Sequence, residues 1–169
     1  MSGLSRGLTA FLPVMLGVLA CGSGEEFTAN VAGNYTVAIT NGANGCNWDM
    51  WKEGDPHEGV AFAITQDGKA LTGKVMLGFG QGAVAFALLF GTEDFTGSAD
   101  GNSFTLTKPG NALNQGNCPY SYNATIDGTI SGDSIAGTIT YATVTNGNPA
   151  CKDVECSNTQ KFSGSRPPQ

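Results

Sequence analysis

The chain has 169 residues, 8 Lys+Arg against 14 Asp+Glu, and a formal net charge of −6. That length suffices for one domain with a real core. An acidic balance without a basic cluster sets aside nucleic acid as a partner, and electrostatic adhesion to an anionic membrane with it. Charged residues make up only 13% and glycine is abundant at 25 residues. Many Gly and Thr with few Leu, Glu and Lys predict an all-β chain that turns tightly.

The first seven residues are short and carry one cation, Arg6; Leu8 to Ala20 is apolar apart from Thr9. Spanning a bilayer takes about 20 apolar residues, so this run is too short and fits the h-region of a secretory signal. Pro13 and Gly17 inside it argue against a buried helix. The run ends in Val18-Leu19-Ala20-Cys21: aliphatic, variable, small, cysteine. This resembles the lipobox of bacterial lipoproteins, departing from it at Val18, where that family prefers Leu. The resemblance implies that residues 1–20 are a signal peptide removed from the mature chain. It also implies that Cys21 carries a diacylglycerol thioether and an N-acyl group. At ~0.8 kcal/mol per buried CH₂, two or three acyl chains anchor stably, so the implied partner is membrane lipid through Cys21 and the implied location is the bacterial cell envelope. Gly22 stands where some lipoproteins carry the Asp that retains them in the inner membrane, which leans toward the outer membrane. Gly22-Ser23-Gly24-Glu25-Glu26 is small and polar, so residues 21–32 are expected to be a flexible tether. The folded domain is expected over 33–166, and 167–169 as a tail.

Five cysteines are present. With Cys21 lipidated, Cys46, Cys118, Cys151 and Cys156 remain, an even set that reads as two disulfides in an exported domain. A zinc site is disfavoured by the wide Cys151…Cys156 spacing, the single histidine and the oxidising compartment.

From Gly33 the hydrophobic period is two. Tyr35, Val37 and Ile39 share a face, then Val60, Phe62 and Ile64, then Leu71, Gly73, Val75 and Leu77. Val84, Phe86, Leu88 and Phe90 form another set, and there Ala83, Ala85, Ala87 and Leu89 make the second face apolar as well. Phe95, Gly97, Ala99, Phe104 and Leu106 follow. The clearest hairpin places Tyr120, Tyr122, Ala124, Ile126, Gly128 and Ile130 opposite Ile135, Gly137, Ile139 and Tyr141 across Ser131-Gly132-Asp133-Ser134. Phe162 and Gly164 predict a closing strand. Asp67-Gly68 and Asp100-Gly101 are further hairpin signals. The fold class is therefore all-β: an antiparallel up-and-down meander of about eight to nine short strands, closing into a barrel because closure removes exposed edges. A sandwich of two sheets is the alternative. The pattern is similar in architecture to calycin-like barrels, the lipocalin and avidin group, without any signature of their ligand sites; fold likeness alone transfers no function. The outer face of the best hairpin is Ser, Asn, Thr and Asp, the reverse of a transmembrane barrel.

Residues 41–59 form a long connection holding both tryptophans, Trp48 and Trp51, the sole histidine, His57, and four carboxylates, Asp49, Glu53, Asp55 and Glu58. Counting every apolar run after it as a strand puts Cys118, Cys151 and Cys156 at one barrel end and Cys46 at the other. An extra crossing between Cys46 and Trp51 would bring Cys46 back. The expectation is a cluster of cysteine-bearing loops at one rim, paired Cys46–Cys118 and Cys151–Cys156.

The spacing of acids around His57 matches no EF-hand, and no G-x-S-x-G elbow is present. No catalytic residue, metal or cofactor is therefore assigned. The functional expectation is a non-enzymatic binding or structural envelope domain. Trp48, Trp51 and His57 are its candidate ligand residues, for a small molecule, a glycan or an envelope protein. The alternative is an enzyme or metal-binding protein using the acidic loop 41–59. The bland reading of the two tryptophans is a plug over one barrel end.

Overall fold

The structure, a computed structural model, describes residues 28–76, 94–147 and 149–168. The signal peptide, Cys21, most of the tether, and the expected strand Ala83–Phe90 with its second apolar face lie outside the described residues. Among the described residues nine strands form one antiparallel sheet: β1 Gly33–Asn44, β2 Pro56–Asp67, β3 Ala70–Met76, β4 Asp94–Asp100, β5 Ser103–Pro109, β6 Leu113–Gln115, β7 Cys118–Ser131, β8 Ser134–Thr145 and β9 Ser157–Ser165. A 3₁₀ helix, Pro149–Val154, precedes β9.

Each strand of the meander pairs with the next, β9 returns to β1, and β5 pairs with β7. Eight strands thus close a barrel, and the sandwich alternative falls with that closure. Short β6 is the ninth; among the described residues it pairs with the start of β7, Leu113 opposite Tyr120 and Gln115 opposite Cys118. It carries the β7 and β8 hairpin beyond the barrel wall.

The period-two sets meet inside. Tyr35 lies opposite Phe62, Leu106 opposite Ile126, Ile126 opposite Ile139, and Ile39 opposite Phe162. All of these are buried in one continuous cluster. Outward neighbours such as Thr105, Asp127 and Lys161 are exposed, so the barrel presents its polar face to water. The interior is filled where glycines face inward. A Cβ on Gly128 would lie 2.3 Å from the Phe104 ring, and Leu106 comes within 2.6 Å of one on Gly73. At Gly137, opposite Gly128, a Cβ would come within 2.1 Å of the Asp127 carbonyl oxygen, so the sheet bends there too sharply for any side chain.

The two rims differ. At the lower rim, β2–β3, β4–β5 and β7–β8 are joined by two-residue turns, Gly68-Lys69, Gly101-Asn102 and Gly132-Asp133. Each has glycine first at φ between +55° and +58°, the preference of a type II′ hairpin turn. The upper rim carries the connections β1–β2 and β8–β9, the β6–β7 hairpin, and the ends of β3 and β4. Because β3 pairs directly with β4, the alternation puts Cys46 on the upper rim with the other cysteines. The predicted extra crossing is absent: residues 45–55 contain turns and no strand.

Thr28 to Ala32, expected in the tether, belong to the lower rim. Thr28 bridges Gly101 and Ala29 N–H donates to Gly101 O at 2.8 Å. Gln66 grips the segment from both sides, its Oε1 accepting from Val31 N–H at 2.7 Å and its Nε2 donating to Ala29 O at 3.2 Å. Val31 is fully buried beneath Tyr35, whose hydroxyl donates to Val31 O. Arg166 completes this end. Its Nε pairs with Asp133 at 3.1 Å, its Nη1 donates to Ala32 O, and its guanidinium lies 5.6 Å from the Tyr35 ring centroid.

Candidate functional site

The upper rim gathers the residues singled out in the sequence. Cys46 is bonded to Cys156 and Cys118 to Cys151. The four cysteines do cluster at one rim, but the expected Cys46–Cys118 and Cys151–Cys156 pairing is corrected. The reason is geometric. The 3₁₀ helix lays Cys151 against the base of β7, where Cys118 starts. Its exit carries Cys156 to the loop after β1, since β9 and β1 are neighbours. All four cysteines among the described residues are held in disulfides.

A ladder of amides folds the loop 45–55 over the barrel mouth. A bulge in β1 between Asn41 and Asn44 changes which way the strand faces. Asn41, before the bulge, is buried in phase with Val37 and Ile39, and Asn44, after it, turns into the loop. Asn44 Oδ1 accepts from Trp48 N–H at 2.9 Å and from Asn158 Nδ2 at 3.1 Å, while Asn44 Nδ2 donates to Trp48 O. Asn158, fully buried, accepts from Cys46 N–H at 2.8 Å. Glu53 accepts from Asn44 N–H at 3.0 Å, which gives this acid a structural task.

The tryptophans pack downward. Their rings meet edge to face at 5.6 Å, Trp48 lies 5.3 Å from Tyr122, and both lie 6.0 Å from Tyr141. Trp51 Nε1 donates to Gly42 O at 3.0 Å. Both half-buried rings join the core cluster from above. His57 is not drawn in with them: it sits exposed on β2 opposite Ile39. Asp49, Asp55 and Glu58 are exposed too. Among the described residues no three His, Cys, Asp or Glu side chains are placed to hold a metal ion.

Beneath the tryptophans runs a polar chain the sequence did not reveal. Tyr141 donates to Gln160 Oε1 at 2.9 Å, and Gln160 Nε2 donates to Asn41 Oδ1 at 2.7 Å. Burial pushes the Tyr141 phenol well above its ordinary range. Tyr35 at the other rim is raised too, chiefly by burial; Arg166 opposes the shift and Asp133 adds to it. Both folded phenols hold their protons where the unfolded ones, near pH 10, release them. Stability is therefore full below about pH 10 and falls above it, by about 1.4 kcal/mol per pH unit for Tyr141 alone. Tyr141→Phe should make the alkaline decline shallower. At neutral pH it should cost about 1–2 kcal/mol, by leaving the Gln160 oxygen unpaired. Urea unfolding across the alkaline range checks both; an unchanged alkaline slope would refute the role of Tyr141.

Concavities lie at two places among the described residues. One, of about 480 Å³, is an open groove toward the lower rim, lined by β5, β7 and β8 residues from Ser103 to Gly137. The other, of about 300 Å³, lies at the upper rim beside Cys46–Cys156, between the loop after β1, the β6–β7 hairpin and the 3₁₀ segment. The sequence pointed to this rim through its tryptophans. The residues that line the concavity, among them Gln115, Tyr120, Tyr122, Asp153 and Glu155, read in sequence as strand and loop residues. Comparison with family models, curated proteins and solved structures finds no match to this chain.

Proposed function

We propose that this chain is a lipid-anchored protein of the bacterial cell envelope whose barrel is a non-enzymatic recognition module. In this reading its binding rim is displayed away from the membrane, more readily the outer than the inner one. The observation that carries the reading is the asymmetry of the two rims. The chain joins the barrel at the lower rim, where Thr28 bridges Gly101. Acylation at Cys21 then leaves six residues between the lipid and the fold. Fully extended, they reach about 20 Å, so the tight-turn rim is held next to the bilayer. Every long described connection, both disulfides and both tryptophans lie at the opposite rim. Loops on a rigid scaffold are where binding residues concentrate. Membrane attachment rests on the lipid alone, since the acidic domain has no attraction of its own for anionic lipid.

Two measurements test this. Cys21→Ser should move the protein from the membrane fraction to the soluble one; continued membrane association would refute lipid attachment. In proteoliposomes of the acylated protein, a dye at Ser131→Cys should be quenched strongly by an acceptor in the lipid headgroups, and a dye at Met50→Cys weakly. Equal quenching would overturn the orientation.

A further inference from the structure

We infer that the upper-rim concavity of about 300 Å³ is a binding site for an alkylammonium group, such as a lysine side chain of a partner protein or a free polyamine. This deepens the recognition reading above and rests on it.

Three separate segments form the walls. Asn47 comes from the loop after β1, Gln115, Tyr120 and Tyr122 from the β6–β7 hairpin, and Asp153 and Glu155 from the 3₁₀ segment. The disulfides hold these walls to one another. Cys46–Cys156 fastens the first wall to the third, and Cys118–Cys151 fastens the second to the third. The barrel does not need them for closure, because its strands already pair all the way round. Cross-links placed there remove conformational freedom from a loop-built surface, the cost that otherwise weakens binding. The lining is also fixed from behind. Tyr122 packs edge to face on Trp48 and on Tyr120 at 5.8 Å, and its hydroxyl lies 3.8 Å from Cys156 Sγ. Asn47 holds a positive φ of 51°, the one described non-glycine residue to do so.

The lining chemistry chooses the ligand. It contains no Lys, Arg or His; Lys152, on the same helical turn, lies outside it. Neither Asp153 nor Glu155 forms an ion pair among the described residues. The three walls carry two carboxylates, two phenols and two side-chain amides, and the surface they present to the cavity is almost wholly polar. An ammonium group carries three donors, no acceptor and a compact charge, and it suits walls converging from several sides. A planar guanidinium wants one flat edge, and an anion finds no cation here.

The experiment is a two-dimensional NMR titration of the soluble Cys21→Ser chain with spermidine and, separately, with a blocked tri-lysine peptide. Shifts should concentrate at residues 45–47, 115–122 and 153–156. Asp153→Asn with Glu155→Gln should weaken binding about tenfold. Asp67→Asn with Asp100→Asn, at the opposite rim, should leave it unchanged. Binding of spermidine alone would assign the free amine, and binding of the peptide alone a protein partner; either supports the site. Absence of binding to both probes, or equal weakening by both double variants, overturns it. Release of Cys21→Ser from membranes is scored independently, so the anchor reading survives or fails by itself.

Discussion

Replacing Cys46 and Cys156 together by serine is expected to lower the free energy of unfolding by about 5 kcal/mol. The bond closes a loop of 110 residues, and a cross-link acts chiefly by restricting the unfolded chain, more for longer loops. The 33-residue loop of Cys118–Cys151 is worth about 3–4 kcal/mol by the same reasoning. Its two sulfurs are fully buried and pack with Val154, so serines there would also bury two hydroxyls. The two losses should therefore be similar in size but different in character. Without Cys46–Cys156 the Asn44–Asn158 ladder still holds the tryptophan loop, and the change falls mainly on the unfolded state. The signature is a larger urea m-value with a near-native aromatic circular dichroism spectrum. Without Cys118–Cys151 the native packing at the base of β7 loosens as well, and that spectrum should change. The thermal midpoint should drop by roughly 10 °C in either case. A loss below about 1 kcal/mol for Cys46/Cys156 would show that the unfolded chain is already compact enough to make the bond redundant.

The pairing of these cysteines marks where sequence reasoning stops. Alternation of apolar residues reports that a strand has one dry face. It does not report which strand lies beside it. Ala83–Phe90 has that alternation, and counting it as a barrel strand calls for an extra crossing between Cys46 and Trp51 to bring Cys46 to the rim of the other cysteines. The direct β3–β4 pairing makes that extra crossing unnecessary. By contrast, the closed meander, the inward sets and the lower-rim turns were legible. Each rests on local chemistry: a period of two, or a glycine at a turn position that requires positive φ. The amides at the barrel mouth lie between these cases. Asn158 and Gln160 continue the phase of Phe162 and Gly164, so their inward direction was available. Asparagine and glutamine near loops, however, read as turn chemistry. Asn41 meets Gln160 in the regular register of β1 and β9, and the bulge that follows sets Asn44 opposite Asn158.

Arg166→Met is expected to cost about 3 kcal/mol, because it opens the lower rim where the chain enters the barrel. The Arg166 side chain is 7% exposed, and its donors serve three partners at once: the Asp133 carboxylate, the Ala32 carbonyl and the face of Tyr35. Gly33 makes room for it, since a Cβ there would lie 2.6 Å from Arg166 Cδ. Methionine can fill the stem's volume but satisfies neither acceptor, and a buried group stripped of its partner costs about 1–3 kcal/mol. Removing one side of a fully buried ion pair costs about 3–5 kcal/mol. Asp133 is 38% exposed and recovers part of that from water, which places the total at the lower end. Asp133→Asn should accordingly cost only about 1 kcal/mol, since an amide oxygen still accepts from Arg166. Arg166→Lys should not rescue, because a single ammonium cannot reach both oxygens while lying flat on Tyr35. Urea unfolding of the three variants orders them Asp133→Asn, Arg166→Lys, Arg166→Met, from mildest to most severe. The same variants should loosen Thr28–Ala32, seen as faster amide exchange at Val31, whose N–H is bonded to Gln66. An Arg166→Met protein within roughly 0.5 kcal/mol of wild type, the spread of ordinary surface substitutions, would mean that the lower rim is closed by apolar packing on Val31 alone.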